Sequence, residues 1–167
     1  MVRDYDEEDL AEDEDYIKSA QEELKRVEHQ VYVTLKYTRT VDVLLNLLER
    51  MIGAYDALIN ALLDLKSGDE ELFKNLSVLE KVNEVKNLYE DSQVGENLDI
   101  YLLLRKIVKA KNITKASEYR RPVNLSTVID GNEVVIDIDI VTHYYAVIMS
   151  FYKYVELLYQ NEELGAK

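Results

Sequence analysis

From Thr40 to Lys66 the chain can run as one helix of about seven turns whose polar side chains keep to a single strip. At about 100° per residue, Asp42, Asn46, Glu49, Arg50, Gly53, Asp56, Asn60 and Asp64 fall within an arc of about 120°, and the rest of the helix is apolar. A helix so covered must be surrounded by protein, which places it at the centre of a layered fold. The charges Asp42, Glu49, Arg50, Asp56 and Asp64 argue against a bilayer span. Thr40 is positioned to cap its start.

The neighbouring segments supply the layers. Ile17, Ala20, Leu24, Val27, Val31 and Leu35 recur every three or four residues, which predicts a helix over 13–37. Glu14–Lys18 and Glu22–Arg26 stand at a spacing that stabilises it. After Ser67-Gly68, Ser67 and Glu70 stand at capping-box spacing. A helix over 70–91 is expected there, with Leu72, Leu76, Leu79, Val82, Val85 and Leu88 inward. Leu98, Tyr101, Leu102, Ile107 and Val108 predict another over 97–112. The period then changes. Val123, Leu125, Thr127 and Ile129 alternate, as do Val134, Ile136 and Ile138, around the tight-turn signal Asp130-Gly131-Asn132. Asp137 or Asp139 starts a last helix to about 163, with a core stripe of Val141, Tyr144, Ile148, Phe151, Val155 and Leu158. The expected fold is all-α: an antiparallel bundle of about five helices with one β-hairpin before the C-terminal helix. Residues 14–167 form one domain, and residues 1–13 read as an acidic, disordered or frayed arm.

Charge narrows the function. The net charge of −13 argues against broad, non-specific binding to nucleic acid or anionic lipid, and no double-stranded DNA partner is expected. It is unevenly spread. Residues 1–15 carry −8, whereas residues 105–121 carry +6 from Arg105, Lys106, Lys109, Lys111, Lys115, Arg120 and Arg121 against Glu118. Arg105, Lys109, Arg120 and Arg121, with Tyr119 able to stack on a base, form the candidate ligand-binding island. The acidic arm is a natural competitor for that island. A second candidate is the helical strip itself, where Glu49, Arg50, Asp56 and Asn60 would floor a pocket or a dimer seam; a solvent-facing strip is the plainer alternative. Glu49 and Asp56 lie about 10 Å apart along the helix, too far to share one metal.

Catalytic signals are weak. There is no cysteine, and His29 and His143 are the only histidines. Asp139 and His143 share a helix face, a spacing that fits an N-cap followed by a surface histidine as well as a metal pair. The five glycines are scattered, with no phosphate loop. No metal or other cofactor is expected. The acidic start Met1 to Asp9 is unlike a signal peptide, and with the lack of cysteine it points to a cytoplasmic protein. Tyr145, Tyr152 and Tyr159 repeat every seven residues and offer either core filling or a self-complementary dimer surface.

Three segments carry a family resemblance: His29-Gln30-Val31-Tyr32-Val33-Thr34; Asp42-Val43-Leu44-Leu45 with Glu49, Ala54, Ala57 and Ala61-Leu62-Leu63; and Glu118-Tyr119-Arg120-Arg121 ahead of the hairpin. In this order they resemble an archaeal protein family of unassigned role with a HEPN-like helical fold. The resemblance implies a compact helical bundle, often homodimeric, in a superfamily where many members are ribonucleases or toxin partners. The ribonuclease signature, an arginine followed after four to six residues by a histidine, is absent: Arg26 and His29 are two residues apart, and no arginine precedes His143 suitably. The expectation is therefore a non-enzymatic, homodimeric interaction module that binds RNA or a nucleotide. The alternatives are an enzyme acting on RNA or nucleotides with other catalytic residues, and a structural assembly subunit.

Overall fold

The computed structural model describes residues 15–165, with side chains to residue 162. The acidic arm expected over 1–13 lies outside the described residues. Five helices and three strands follow in order. Helix α1 begins at Tyr16–His29, passes through a π-helical turn at Gln30–Thr34 and ends with Leu35–Tyr37; α2 is Val41–Ser67, α3 Val78–Leu88 and α4 Ser92–Lys109. Then come β1 (Thr114–Ala116), β2 (Asn124–Ile129), β3 (Asn132–Asp137) and α5 (Ile138–Gly165). Among the described residues, no helix is long and apolar enough to cross a membrane.

Helix α2 is the hub. Fourteen of its residues are buried, from Val41 to Leu63, and the polar strip faces outward. The Thr40 hydroxyl accepts from Val43 N at 3.3 Å, as its position before an apolar run predicts. The helix stops where Gly68 adopts φ 65° and its N–H donates to Asp64 O at 2.8 Å. Helix α1 runs antiparallel to it, since Gln30 bonds Asn46 near one end and Tyr16 bonds Glu70 near the other. Helix α4 is antiparallel as well, through Tyr55–Asn97 and Tyr89–Leu62 beside it. Helix α5 runs parallel to α2, with Phe151 against Tyr55 and Tyr159 against Ala61. Helices adjacent in the alternating order α1, α2, α4, α5 thus point oppositely.

The π-turn has a reason in the spacing of the core residues. Val27, Val31 and Leu35 are separated by four and four, which in a regular α-helix would rotate Leu35 about 80° away from Val27. The wider turn absorbs one residue, and Leu35 returns to the core at 2% exposure. Arg26 in this helix pairs with Glu23 at 3.1 Å rather than with Glu22.

Three expectations need correction. The sheet has three antiparallel strands in the order β1-β2-β3, not a lone hairpin. Strand β1 pairs Thr114 with Ser126 and Ala116 with Asn124, in a stretch where no element was expected. The chain is thus mostly rather than wholly helical. Helix α3 starts at Val78, because the capping box forms between Ser77 and Glu80, ten residues later than expected. Glu70–Leu72 makes only a 3-10 turn, and its Leu72 is 67% exposed. Leu79 and Leu88 also face solvent, because Val82 and Val85 set the buried side. Helix α4 spans 92–109 rather than 97–112, with Asp91 accepting from Gln93 N at 2.7 Å as its cap. The hairpin turn is as expected, with Asp130 at φ 52° and Gly131 at φ 82°. Asp137 is the cap of α5, its carboxylate accepting from Ile140 N at 2.8 Å.

Candidate functional site

The segment between β1 and β2 is backbone under strain. Ser117 has φ 54° and Tyr119 φ 67°, a region where side chains with a Cβ are disfavoured and a bulky ring is an outlier. Three contacts hold the loop there. Tyr119 N–H donates to Arg39 O at 2.6 Å, in the short connection between α1 and α2. The Glu118 carboxylate accepts from Val41 N at 3.3 Å, adding a negative charge to the N-terminus of α2 beside the Thr40 cap. Arg121 Nη2 donates to Asp139 Oδ1 at 2.8 Å, on the first turn of α5. The loop is thus clamped to the starts of two helices, and its tip points outward. Tyr119 is 80% exposed. Arg120 is exposed and makes no ion pair with a described residue.

A second exposed ring stands two residues from the loop's anchor and was not singled out from the sequence. Tyr37, 84% exposed, lies two residues before the Arg39 carbonyl that receives the Tyr119 N–H, and Lys36 beside it is exposed as well. Nothing in the sequence relates Tyr37 to Tyr119, because the connecting hydrogen bond is between backbones. An exposed aromatic ring without a packing partner is what a stacking surface requires.

The basic island is divided. Lys106 pairs with Asp130 at the closed end of the hairpin at 2.7 Å, whereas Arg121 pairs with Asp139 at its open end. The intervening strand separates those ends by about 17 Å. Arg105 folds back along α4, with its guanidinium over the Tyr101 ring at 5.6 Å. Lys115 pairs with Asp42 at 3.4 Å. Lys109 is exposed at the end of α4. Arg105 and Lys109 therefore lie away from the Tyr119–Arg120 tip, and Arg121 serves as an anchor of the loop.

The polar strip of α2 is divided too. Asp56 and Asn60 line a cleft of about 280 Å³ with Lys81 and Tyr101. Each accepts a hydrogen bond there: Tyr101 OH donates to Asp56, and Lys81 Nζ donates to Asn60 at 2.9 Å. Burial first, then the bond to Asp56, pushes the Tyr101 phenol well above its usual range, so it acts as a neutral donor. Arg50 leans to the other side, toward Glu23 at 3.7 Å. Glu49 stays exposed between the two sides, with no ion pair to a described residue. The strip is a solvent-facing set of pairs and not one pocket.

The tyrosine flank is mostly internal. Tyr152 is 4% exposed and donates to Glu156 at 3.0 Å. Tyr159 donates to Ala61 O at 3.0 Å, and Tyr145 packs edge-on against Tyr32 at 6.0 Å. Of the two uses open to Tyr145, Tyr152 and Tyr159, core filling is the one that these contacts show for Tyr152 and Tyr159. His143 is exposed and Asp139 is held by Arg121. Among the described residues, no three His, Asp or Glu side chains are grouped to hold a metal ion.

No protein-family model, curated protein or solved structure matches the chain.

Proposed function

We propose that the chain is a HEPN-like helical interaction module that binds single-stranded RNA, or a nucleotide as its minimal unit, at the loop formed by residues 117–121. The carrying observation is Tyr119, held at a strained φ of 67° yet 80% exposed, beside an arginine with no ion pair to a described residue. Strain of this kind costs about 1–3 kcal/mol and persists where the surroundings enforce it. Here the enforcing bonds come from Arg39, Val41 and Asp139. A ring carried on a fixed backbone loses less entropy when a base stacks on it than one on a mobile loop, and Arg120 supplies a phosphate contact next to it.

Fluorescence anisotropy with a labelled single-stranded oligoribonucleotide tests this reading. Tyr119→Ala removes one stacked base, worth about 1–3 kcal/mol, so affinity falls roughly tenfold. Arg120→Ala lowers affinity and reduces the slope of log K against log salt by about 0.7, the value for one phosphate on a single strand. Wild-type affinity in both variants would refute the site.

Homodimerisation belongs to the same reading. Tyr32, 48% exposed, packs on Tyr145 across α1 and α5, and its chain neighbour Val33 is 41% exposed, which offers an apolar surface to a second copy. Sedimentation equilibrium should show a dimer at micromolar concentration that Tyr32→Glu dissociates; a monomer throughout removes this part of the proposal.

A further inference from the structure

A second cleft, of about 430 Å³, opens between α1 and α2 and is lined by Lys25, Arg26, His29, Gln30, Thr34 and Arg50. Three of the six lining residues are cations, and none is a carboxylate, on a chain whose net charge is −13. The cations come from two helices at positions far apart in sequence, so their convergence is a product of the fold.

Glu23 stands at the edge of this cleft and shows what the cations accept. Its Oε1 receives Arg26 Nη1 at 3.1 Å, and its Oε2 lies 3.7 Å from Arg50 Nη1. Its carboxylate rests against Gly53 of α2, where an added Cβ would come to 3.5 Å from Glu23 Cδ. One carboxylate thus sits between two guanidiniums, as one oxyanion would. The Arg50 contact is beyond hydrogen-bond length, and the side chains of Arg26 and Arg50 remain 58% and 40% exposed. Most of their donors therefore stay open to solvent, and Lys25 adds a cation with no ion pair to a described residue.

The backbone at the cleft is irregular as well. The π-turn Gln30–Thr34 supplies two of the lining residues, and such turns recur at functional sites. Gln30 Nε2 donates to Asn46 Oδ1 at 2.7 Å, whereas Gln30 Oε1 is buried with no donor among the described residues.

We propose that this cleft is a binding site for a phosphate-class oxyanion, a diphosphate or the phosphate of a nucleotide, held by Arg50, Arg26 and Lys25. Glu23 is the internal competitor that fills part of the site when no anion is bound. The site is separate from the Tyr119 loop and does not depend on the RNA reading.

Titration calorimetry of the full chain with inorganic pyrophosphate at low ionic strength decides the matter. One pyrophosphate should bind per chain. Arg50→Gln and, separately, Lys25→Gln should each weaken it at least about tenfold, the effect of losing one charge-assisted hydrogen bond. Glu23→Gln should tighten it severalfold by releasing two guanidiniums. Tyr119→Ala should leave it unchanged, which separates this site from the RNA surface. Adenosine monophosphate forms a second arm: equal dependence on Arg50 supports a site that reads phosphate alone, and tighter binding than pyrophosphate with the same dependence supports a nucleotide phosphate. Circular dichroism confirms that each variant is folded. Absence of heat at millimolar pyrophosphate, or binding unaltered by both Arg50→Gln and Lys25→Gln, overturns the proposal.

Discussion

Tyr55→Ala should lower the unfolding free energy by about 3–5 kcal/mol, the range for truncating a fully buried aromatic ring. Tyr55 is 0% exposed at the middle of α2, with Tyr101 at 5.7 Å and Phe151 at 6.1 Å between ring centroids. Its hydroxyl donates to Asn97 Oδ1 at 2.7 Å, and Asn97, 1% exposed, donates in turn to Gln93 O at 2.8 Å. The alanine variant therefore leaves a cavity at the meeting point of three helices and orphans a buried carbonyl oxygen. Total stabilities of single domains are about 5–15 kcal/mol, so the loss is a large share, and the melting temperature should fall by roughly 10 °C. Tyr55→Phe keeps the ring and removes only the hydrogen bond, for a loss of about 1–3 kcal/mol. Urea denaturation of both variants separates the two contributions. An alanine variant within about 1 kcal/mol of the parent would mean that this junction is not the core.

The second large effect is alkaline unfolding. Burial, followed by the neighbouring Tyr154 and Glu162, pushes the Tyr89 phenol up to about 12. Burial and then the hydrogen bond to Glu156 push Tyr152 up to about 12. Tyr55 and Tyr159 are raised further, chiefly by burial, Tyr159 also by Asp64. An unfolded tyrosine titrates near about 10, so above that pH the unfolded chain releases protons that the folded chain keeps. The folded state binds more protons, the slope of stability with pH is negative, and stability is lost as pH rises from about 10 through about 12 and beyond. Below about 10 these groups contribute no pH dependence. Helix ellipticity and tyrosinate absorbance should change together in one cooperative transition in that window. Complete tyrosinate formation with the helices intact would contradict the burial of these rings.

The parts legible in sequence were those where one physical signal dominates. The narrow polar arc of α2 and the αL stop at Gly68 give that helix within a residue at each end. The Asp130-Gly131 turn and the alternation on either side give β2 and β3. Strand β1 was not legible, because three residues with Thr114 and Lys115 exposed carry no alternation, and backbone pairing with β2 alone defines it. Leu72, Leu79 and Leu88 misled because leucines at helical spacing look alike whether a short helix buries them or not; the capping box at Ser77 decides the phase. Charge clustering singled out the segment that holds Tyr119 and Arg120, both exposed, but it could not show that Lys106, Lys115 and Arg121 are each tied to an aspartate. Tyr37, and the convergence of Lys25 and Arg26 with Arg50, come from tertiary contacts between distant segments and leave no local pattern.

Amide chemical-shift mapping with a short oligouridylate tests the loop as a base-stacking surface most directly. The expected result is saturable perturbation concentrated on residues 117–121 and on 37–40, joined to them by the bond from Tyr119 to Arg39, and lost in Tyr119→Ala. Shifts that are absent at millimolar RNA, or that map elsewhere and survive Tyr119→Ala, would contradict it.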